Sequence, residues 1–299
     1  MSVDVVAVVV THNSAHVVAG LLDSLPPALD GLSAEVVVVD NGSTDGTVAL
    51  LEKRSDCKVV RSANVGYSAG INRGVRECAP TGDILVLNPD VRLEPGAVKH
   101  LVAAAAPSDT GVVAPRIQAE DGSLFLSLRR APTVLRALGL NRTGVPLLAE
   151  CVTSRADYER SAVVDWALGA VLLVTRECFD VLDGWDESYF LYSEETDFSL
   201  RARDQGFLTR YEPAAVAMHI GGQSGQNDHT HVMQVVNRVR LYRRRHRPLP
   251  TMLYYALTVL CELSWLARGQ RQSRASVLAL LRPSRRPAVL GCSNRLIPR

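Results

Sequence analysis

Short runs of β-branched residues alternate with segments of helical spacing over the first 120 residues of this chain. VVAVVV (5 to 10) precedes a helical stretch from Ser14 to Leu25, and EVVVVD (35 to 40) precedes TVALLEKR (47 to 54). KVV (58 to 60), a helical stretch after Gly70 and DILVLN (83 to 88) follow. Continuous apolar runs separated by helices predict parallel strands covered on both faces, and hence a Rossmann-like, doubly wound α/β sheet. From about Gly111 the alternation weakens, with Pro115, Pro132 and Pro146 breaking the chain and Leu135 to Leu148 fitting neither period. WALGAVLLVT (166 to 175) predicts one further strand. DGWDESYFLY then leads into a helix over Glu194 to Gln205, with Ser193 as N-cap and Gly206 as its stop.

The last segment has a different pattern. RLYRRRHR (240 to 247) is followed by MLYYALTVLCELSWLA (252 to 267) and then by more arginine. The apolar run is sixteen residues long and Glu262 interrupts it, whereas a spanning helix needs roughly twenty. An interfacial helix flanked by arginine fits that pattern, as does an ordinary C-terminal helix packed on the body. We therefore divide the chain into a catalytic or binding unit over residues 1 to 236 and a basic, helical extension over 237 to 299.

Composition sharpens this division. With 299 residues, 47% of them apolar, the chain can bury a substantial core, which excludes chain-wide disorder. The formal net charge of +2 hides an asymmetry: residues 237 to 299 carry fourteen Arg and one acid, a local +13, leaving −11 on the first 236. A basic extension on an acidic body suggests contact with an anionic membrane surface rather than with nucleic acid. The six cysteines (57, 78, 151, 178, 261 and 292) include no C-x-x-C pair, so neither a zinc cluster nor a disulfide framework is expected and a reducing cytoplasm fits. Asp4 precedes the first apolar run, which has no cationic flank or small-residue cleavage site, so no secretory signal is expected.

Ligands of open parallel sheets bind beyond the carboxyl ends of the strands, and three predicted strands end in polar residues. The first gives Thr11-His12-Asn13, the second DNGSTDG (40 to 46), the fourth Asn88-Pro89-Asp90. Asp40 is placed to accept hydrogen bonds from a nucleobase or ribose, or, with Asn41, to bond its own turn. Asp90 is placed to hold a divalent cation against a diphosphate, or simply to close an N-P-D turn. NVGYSAGINRG (64 to 74) offers glycines for close approach to phosphates, with Arg73 adding charge. Within it, Gly66-Tyr67-Ser68-Ala69-Gly70 also matches the G-x-S-x-G elbow, so a serine hydrolase using Ser68 is an alternative.

Residues 179 to 207 carry the densest chemistry. Aromatics lead into Glu194, Glu195 and Asp197 in the first turn of a helix. Acids there suit the helix dipole, and a carboxylate in an aromatic-lined pocket also has the raised basicity of a general base. His219, in HIGGQS, reads as part of a ligand loop, whereas His229 and His231 lie in no H-E-x-x-H pattern.

Taken in order, VVVTHNS (8 to 14), VVVVDNGSTDGT (36 to 47), NVGYSAGINRG, LVLNPDV (85 to 91), GWDESYFLYSEETDFSLR (184 to 201) and HIGGQS resemble glycosyltransferase family 2, and within it the bacterial rhamnosyltransferases. The resemblance spans about residues 5 to 225 and implies a GT-A fold. It implies an inverting transfer of a sugar from a nucleotide diphosphate donor, dTDP-rhamnose being favoured, to an acceptor hydroxyl in cell-envelope polysaccharide or glycolipid synthesis. It assigns the donor site to Thr11, Asn13, Asp40, Asn72 and Arg73, and Asn41, Gly66, Asn88 and Trp166 join them as expected substrate-binding residues. Asp90 and His219 would hold Mg2+ or Mn2+, although Asn88 stands where the family's D-x-D motif has its first acid. Glu195 would be the base, beside Glu194 and Asp197, in a pair that is usually Glu-Asp. The segment after Gly111 would face the acceptor, and the extension would hold the enzyme on the cytoplasmic face of the cell membrane near a lipid-linked acceptor. A non-catalytic nucleotide-sugar binding protein is the other alternative.

Overall fold

Every residue of the first strand, β1 (Val5–Thr11), is buried, as a strand covered on both faces requires. The computed structural model describes residues 3 to 78, 81 to 220, 227 to 290 and 296. Through α1 (Val18–Leu29), β2 (Ala34–Asn41), α2 (Thr47–Leu51), β3 (Lys58–Ser62), α3 (Tyr67–Arg76) and β4 (Asp83–Leu87), the chain follows the alternation of its sequence. Strands β3, β2, β1 and β4 lie side by side and parallel. Helix α1 runs on past Leu25 despite Pro26 and Pro27, because Val18, Leu21, Leu22, Leu25 and Ala28 form one buried stripe.

The second half makes the sheet mixed. It comprises β5 (Val91–Leu93), α4 (Ala97–Ala105), β6 (Thr110–Gln118), β7 (Leu128–Arg129), β8 (Ala162–Val164), β9 (Trp166–Ala167), β10 (Val171–Val174), α5 (Arg176–Val181), α6 (Glu194–Asp204) and β11 (Leu208–His219). Among the described residues the main sheet has nine strands in the order β3-β2-β1-β4-β10-β6-β11-β5, with β8 also on β11. Strand β10 is antiparallel to both β4 and β6, and β5 is antiparallel to β11. Alternate residues of β1 divide between two cores: Val5, Ala7 and Val9 pack with α1 and α4, while Val6, Val8 and Val10 pack with Ile71 and Val75 of α3 and Phe198 of α6.

WALGAVLLVT is not one strand. Leu168 to Ala170 form a turn between β9, which pairs with β7, and β10, which pairs with β4 and β6. The predicted helix at 194 ends where expected: Gly206 adopts φ +92°, the left-handed conformation that stops a helix. At its start Ser193 makes no side-chain cap and has φ +73°, and Tyr192 before it has φ +67°. Two successive non-glycine residues in this region cost about 1 to 3 kcal/mol each, a strain that clusters at functional turns.

Three helices, α7 (Asp228–Arg245), α8 (Pro248–Ala267) and α9 (Gln272–Leu281), complete the structure around their own apolar cluster. Asn227 and Thr230 close a capping box at the start of α7. Residue 236 falls inside α7, and Asn237, fully buried, donates Nδ2 to the carbonyls of Leu191 (2.9 Å) and Tyr192 (3.1 Å). The same helix therefore holds the strained turn ahead of Glu194. Arginines of α7 reach the acidic body: Arg238 pairs with Glu150, Arg244 with Asp186 and Arg245 with Asp204. Part of the charge asymmetry read in the sequence is thus internal complementarity.

Candidate functional site

At the carboxyl ends of β1 and β2 the side chains lock one another. Thr11 Oγ1 donates to Asp40 Oδ1 at 3.2 Å, and Ser43 N donates to Asp40 Oδ2 at 3.0 Å. Asn13, at φ +54°, uses its Oδ1 to accept from Thr44 N (2.8 Å) and Asp45 N (3.3 Å). Asn41 Nδ2 donates to Gly66 O at 2.9 Å, which ties this end of the sheet to the loop entering α3. From there Tyr67 N donates to Phe190 O (2.7 Å) and Tyr67 Oη to Asn88 Oδ1 (2.7 Å).

A cavity of about 690 Å3 opens beside Tyr67 and Asn88. It gathers Asn88, Asp90, Trp166, Glu194, Glu195 and His219 from the predicted set. Sheet register explains one convergence. Val91 pairs with His219 in the antiparallel β5–β11 ladder and Ile220 N donates to Asp90 O at 3.0 Å, so Asp90 Oδ1 lies 3.3 Å from His219 Nε2. Phe125 stands edge-on to the His219 ring. Among the described residues no third His, Cys or acid joins this pair. One carboxylate oxygen and one imidazole nitrogen suit a cation that takes its other ligands from a diphosphate and water. Gly221 to Ser224, the rest of the predicted ligand loop, lie outside the described residues.

The turn at Leu168 to Ala170 explains the second convergence. Glu195 lies along Gly169, where an added Cβ would sit 3.5 Å from Glu195 Cβ and 3.9 Å from its Cδ. A Cβ at 169 would thus make ordinary van der Waals contact along the Glu195 side chain. Neither Glu194 Oε2 nor Glu195 Oε2 has a hydrogen-bond partner among the described residues. Burial pushes the pKa of both carboxyls up, and the charge of Glu195 raises Glu194 further. Arg129 opposes the rise at Glu195. Burial and mutual repulsion therefore disfavour two negative charges on this pair at once. Burial and the acids Glu194, Glu195 and Asp90 hold the Tyr67 hydroxyl well above its ordinary pKa, as a neutral donor.

The other predicted residues stand outside the cavity. Asp197 is buried against Arg201 (2.7 Å) on another side of α6, and burial raises its pKa. Asn72 is committed to the protein: its Nδ2 donates to Trp185 O (2.8 Å) and Glu187 Oε1 (3.0 Å), and its Oδ1 accepts from Trp185 N (2.9 Å). Arg73 donates to Ser62 Oγ at 3.0 Å. The glycines of the 64 to 74 segment serve close packing. Gly66, at φ +95°, has Phe190 O 2.7 Å from where its Cβ would be, and Gly70 and Gly74 abut Val10 and Val8 of β1. The elbow reading of Ser68 fails on geometry: β3 ends at Ser62, and Ser68 Oγ is fully buried without a partner, so no base activates it.

Sequence reasoning missed several residues of the cavity wall. Tyr67 lay inside a quoted motif, but its side chain was not singled out. Arg129, in the two-residue β7, carries no motif. His231 and Arg238 of α7 and Glu262 and Trp265 of α8 also line the cavity, and the arginines and apolar run of the extension gave no sign of it. A separate cavity of about 380 Å3, lined by Arg130, Arg160 and Arg203 among others, contains none of the predicted site residues.

Comparison with known proteins gives the chain its relatives. The sequence model of glycosyl transferase family 2 matches residues 6 to 162. The N-acetylglucosaminyl-diphospho-decaprenol L-rhamnosyltransferase of Mycobacterium tuberculosis H37Rv is 31% identical over 245 residues, covering 75% of this chain and 79% of its own. The rhamnosyltransferase WbbL of Escherichia coli K12 is 26% identical over 228 residues, covering 71% and 81% respectively. In structure the chain is similar to the mannosyltransferase PcManGT from Pyrobaculum calidifontis, solved with GDP-Man and Mn2+, with a TM-score of 0.58 and 17% identity over 94% of this chain and 76% of that one. It is also similar to GalNAc-T7, solved with UDP, GalNAc and Mn2+, with a TM-score of 0.61 and 18% identity over 81% and 48%.

Proposed function

Because this chain belongs to glycosyltransferase family 2, and is therefore a sugar-transferring enzyme of the GT-A fold rather than a passive binding protein, we propose that it moves a rhamnosyl group from dTDP-rhamnose to a hydroxyl of a lipid-linked sugar, with inversion at the anomeric carbon. One observation carries the reading: a buried carboxyl pair whose Oε2 atoms lack partners among the described residues shares a cavity with the Asp90–His219 pair.

Ionised Glu195 takes the proton of the acceptor hydroxyl as the acceptor oxygen bonds to the anomeric carbon. On the opposite face the bond from that carbon to the diphosphate oxygen breaks, and the diphosphate leaves with the electron pair. Glu194 and the Tyr67–Asn88 pair are hydrogen-bonding groups beside the reacting sugar, and Trp166 is an apolar wall. Asp40, fixed by Thr11 and Ser43, faces the nucleotide end. A divalent cation, Mg2+ or Mn2+, held by Asp90 and His219 would supply charge stabilisation to the departing diphosphate. Transfer from dTDP-rhamnose to N-acetylglucosaminyl diphosphate carried on a short polyprenyl chain tests the reading; the purified chain is expected to form the disaccharide product.

Helix α8 supports a lipid-linked acceptor. Among the described residues it is the one helix long and apolar enough to cross a membrane. Its packed face is Thr251, Tyr254, Thr258 and Glu262, whereas Leu249, Met252, Leu253, Leu260 and Leu263 are exposed. A helix that turns its leucines outward and its polar residues inward suits an apolar medium on its outer side. One face tied to the body favours lying in the interface over crossing it, and exposed Arg247, Arg268 and Arg271 flank it for anionic headgroups. The enzyme is accordingly proposed to be peripheral on the cytoplasmic face of the membrane. Changing Leu260 and Leu263 together to Asp is expected to weaken sedimentation with phosphatidylglycerol vesicles by more than about tenfold. Unchanged sedimentation would place the membrane contact elsewhere.

A further inference from the structure

The acid in the middle of the apolar helix is not explained by packing or by membrane contact. Glu262 points inward, and its Oε2 lies 3.0 Å from Nε2 of His231 on α7. Both side chains are largely buried, with 8% and 15% exposure. Both line the cavity that holds Glu195, together with Gln234 and Trp265. The helical extension thus furnishes a polar, aromatic-edged wall to the reaction chamber.

We propose that His231, Glu262 and Trp265 form the subsite that recognises the acceptor sugar, a pyranose attached through a diphosphate to a lipid chain. On the glycosyl-transfer reading the nucleotide end lies at Asp40, and its neighbour Asn41 is tied through Gly66 to the loop from which Tyr67 reaches Asn88 of the cavity. Inverting transfer needs the acceptor hydroxyl and the leaving diphosphate on opposite faces of the reacting sugar, with the base at the acceptor. Helices α7 and α8 make a wall of the cavity that is separate from the sheet carrying the proposed nucleotide end. A carboxylate and imidazole held together offer acceptor and donor atoms to neighbouring sugar hydroxyls, and an indole face packs on the C–H side of a pyranose. Position on the helix links this to the lipid: exposed Leu260 and Leu263 both lie within one turn of Glu262, and Leu263 within one turn of Trp265. A headgroup in the cavity leaves its carrier chain beside the leucines that face the membrane.

This inference rests on the glycosyl-transfer reading, and the test separates the two. The full-length protein is assayed with dTDP-rhamnose and the N-acetylglucosaminyl diphosphate polyprenyl probe, and donor affinity is measured apart by calorimetry. In Glu262→Gln and Trp265→Ala the acceptor KM is expected to rise about tenfold or more, as loss of a charge-assisted hydrogen bond or a stacking face implies, with donor Kd within about twofold of the parent. Trp265 is only partly buried, so its variant stays informative if Glu262→Gln unfolds. An unaltered acceptor KM in the Trp265 variant, or a donor Kd that weakens in parallel with it, overturns the subsite. Failure of the parent chain to use the donor at all would count instead against the transfer reading.

Discussion

Glu195→Gln is expected to lower kcat for sugar transfer by roughly 10²- to 10⁴-fold, the range that a positioned general base supplies, while leaving donor affinity near the parent value. Glutamine keeps the size and the contact with Gly169 but cannot take a proton. Burial raises the pKa of Glu195 above the ordinary carboxylate value, so the acid limb of the parent's kcat/KM profile should fall at a higher pH than for an exposed glutamate. The same shift fixes the stability effect. A carboxyl whose folded-state pKa lies above its unfolded value favours folding when protonated, and that contribution is lost as pH rises through the folded pKa. The variant has no such loss, so its unfolding temperature at neutral pH should equal or exceed the parent's. A variant that transfers at nearly the parental rate would remove Glu195 from the base role. One that is inactive because it is unfolded would be recognised by its melting curve.

Asp90→Ala is the second large effect. The cavity pairs this carboxylate with His219 and with nothing else that ligates metal among the described residues. Removing it should therefore abolish both the response to Mn2+ and most of the activity, on the order of 10²- to 10³-fold for lost stabilisation of a developing anion. Stabilisation of the free protein by Mn2+ together with dTDP in a thermal melt gives a readout independent of turnover. Full activity with an unchanged ion response would move the cation site away from Asp90.

What was legible in the sequence depended on how local its cause was. The ends of β1, β2 and β4 were readable because an apolar run stops abruptly at Thr11, Asp40 and Asn88, and burial of the run decides where the strand stops. Glu194 and Glu195 were readable from their place at a helix start, but Asp197, in the same turn, is consumed by Arg201 four residues on. Asn72 shows the limit more sharply. Its motif suggested a ligand contact, yet its partners are Trp185 and Glu187, more than a hundred residues away. The turn at Gly169 was hidden by a continuous apolar run, since no periodicity marks the point where β9 leaves for β7. The extension was read by its charge, whereas Arg238, Arg244 and Arg245 spend theirs on Glu150, Asp186 and Asp204 of the body. His231 and Glu262 looked like a stray histidine and a blemish in an apolar helix until tertiary contact brought them together.

The proposed reaction is a single inverting displacement assisted by Glu195 in the cavity shared with Asp90 and His219. Nuclear magnetic resonance of the disaccharide formed from dTDP-rhamnose and the polyprenyl diphosphate acceptor tests it most directly, through the one-bond carbon–hydrogen coupling at the new anomeric centre. One product is expected, with the configuration opposite to that of the donor. A product of retained configuration would contradict it.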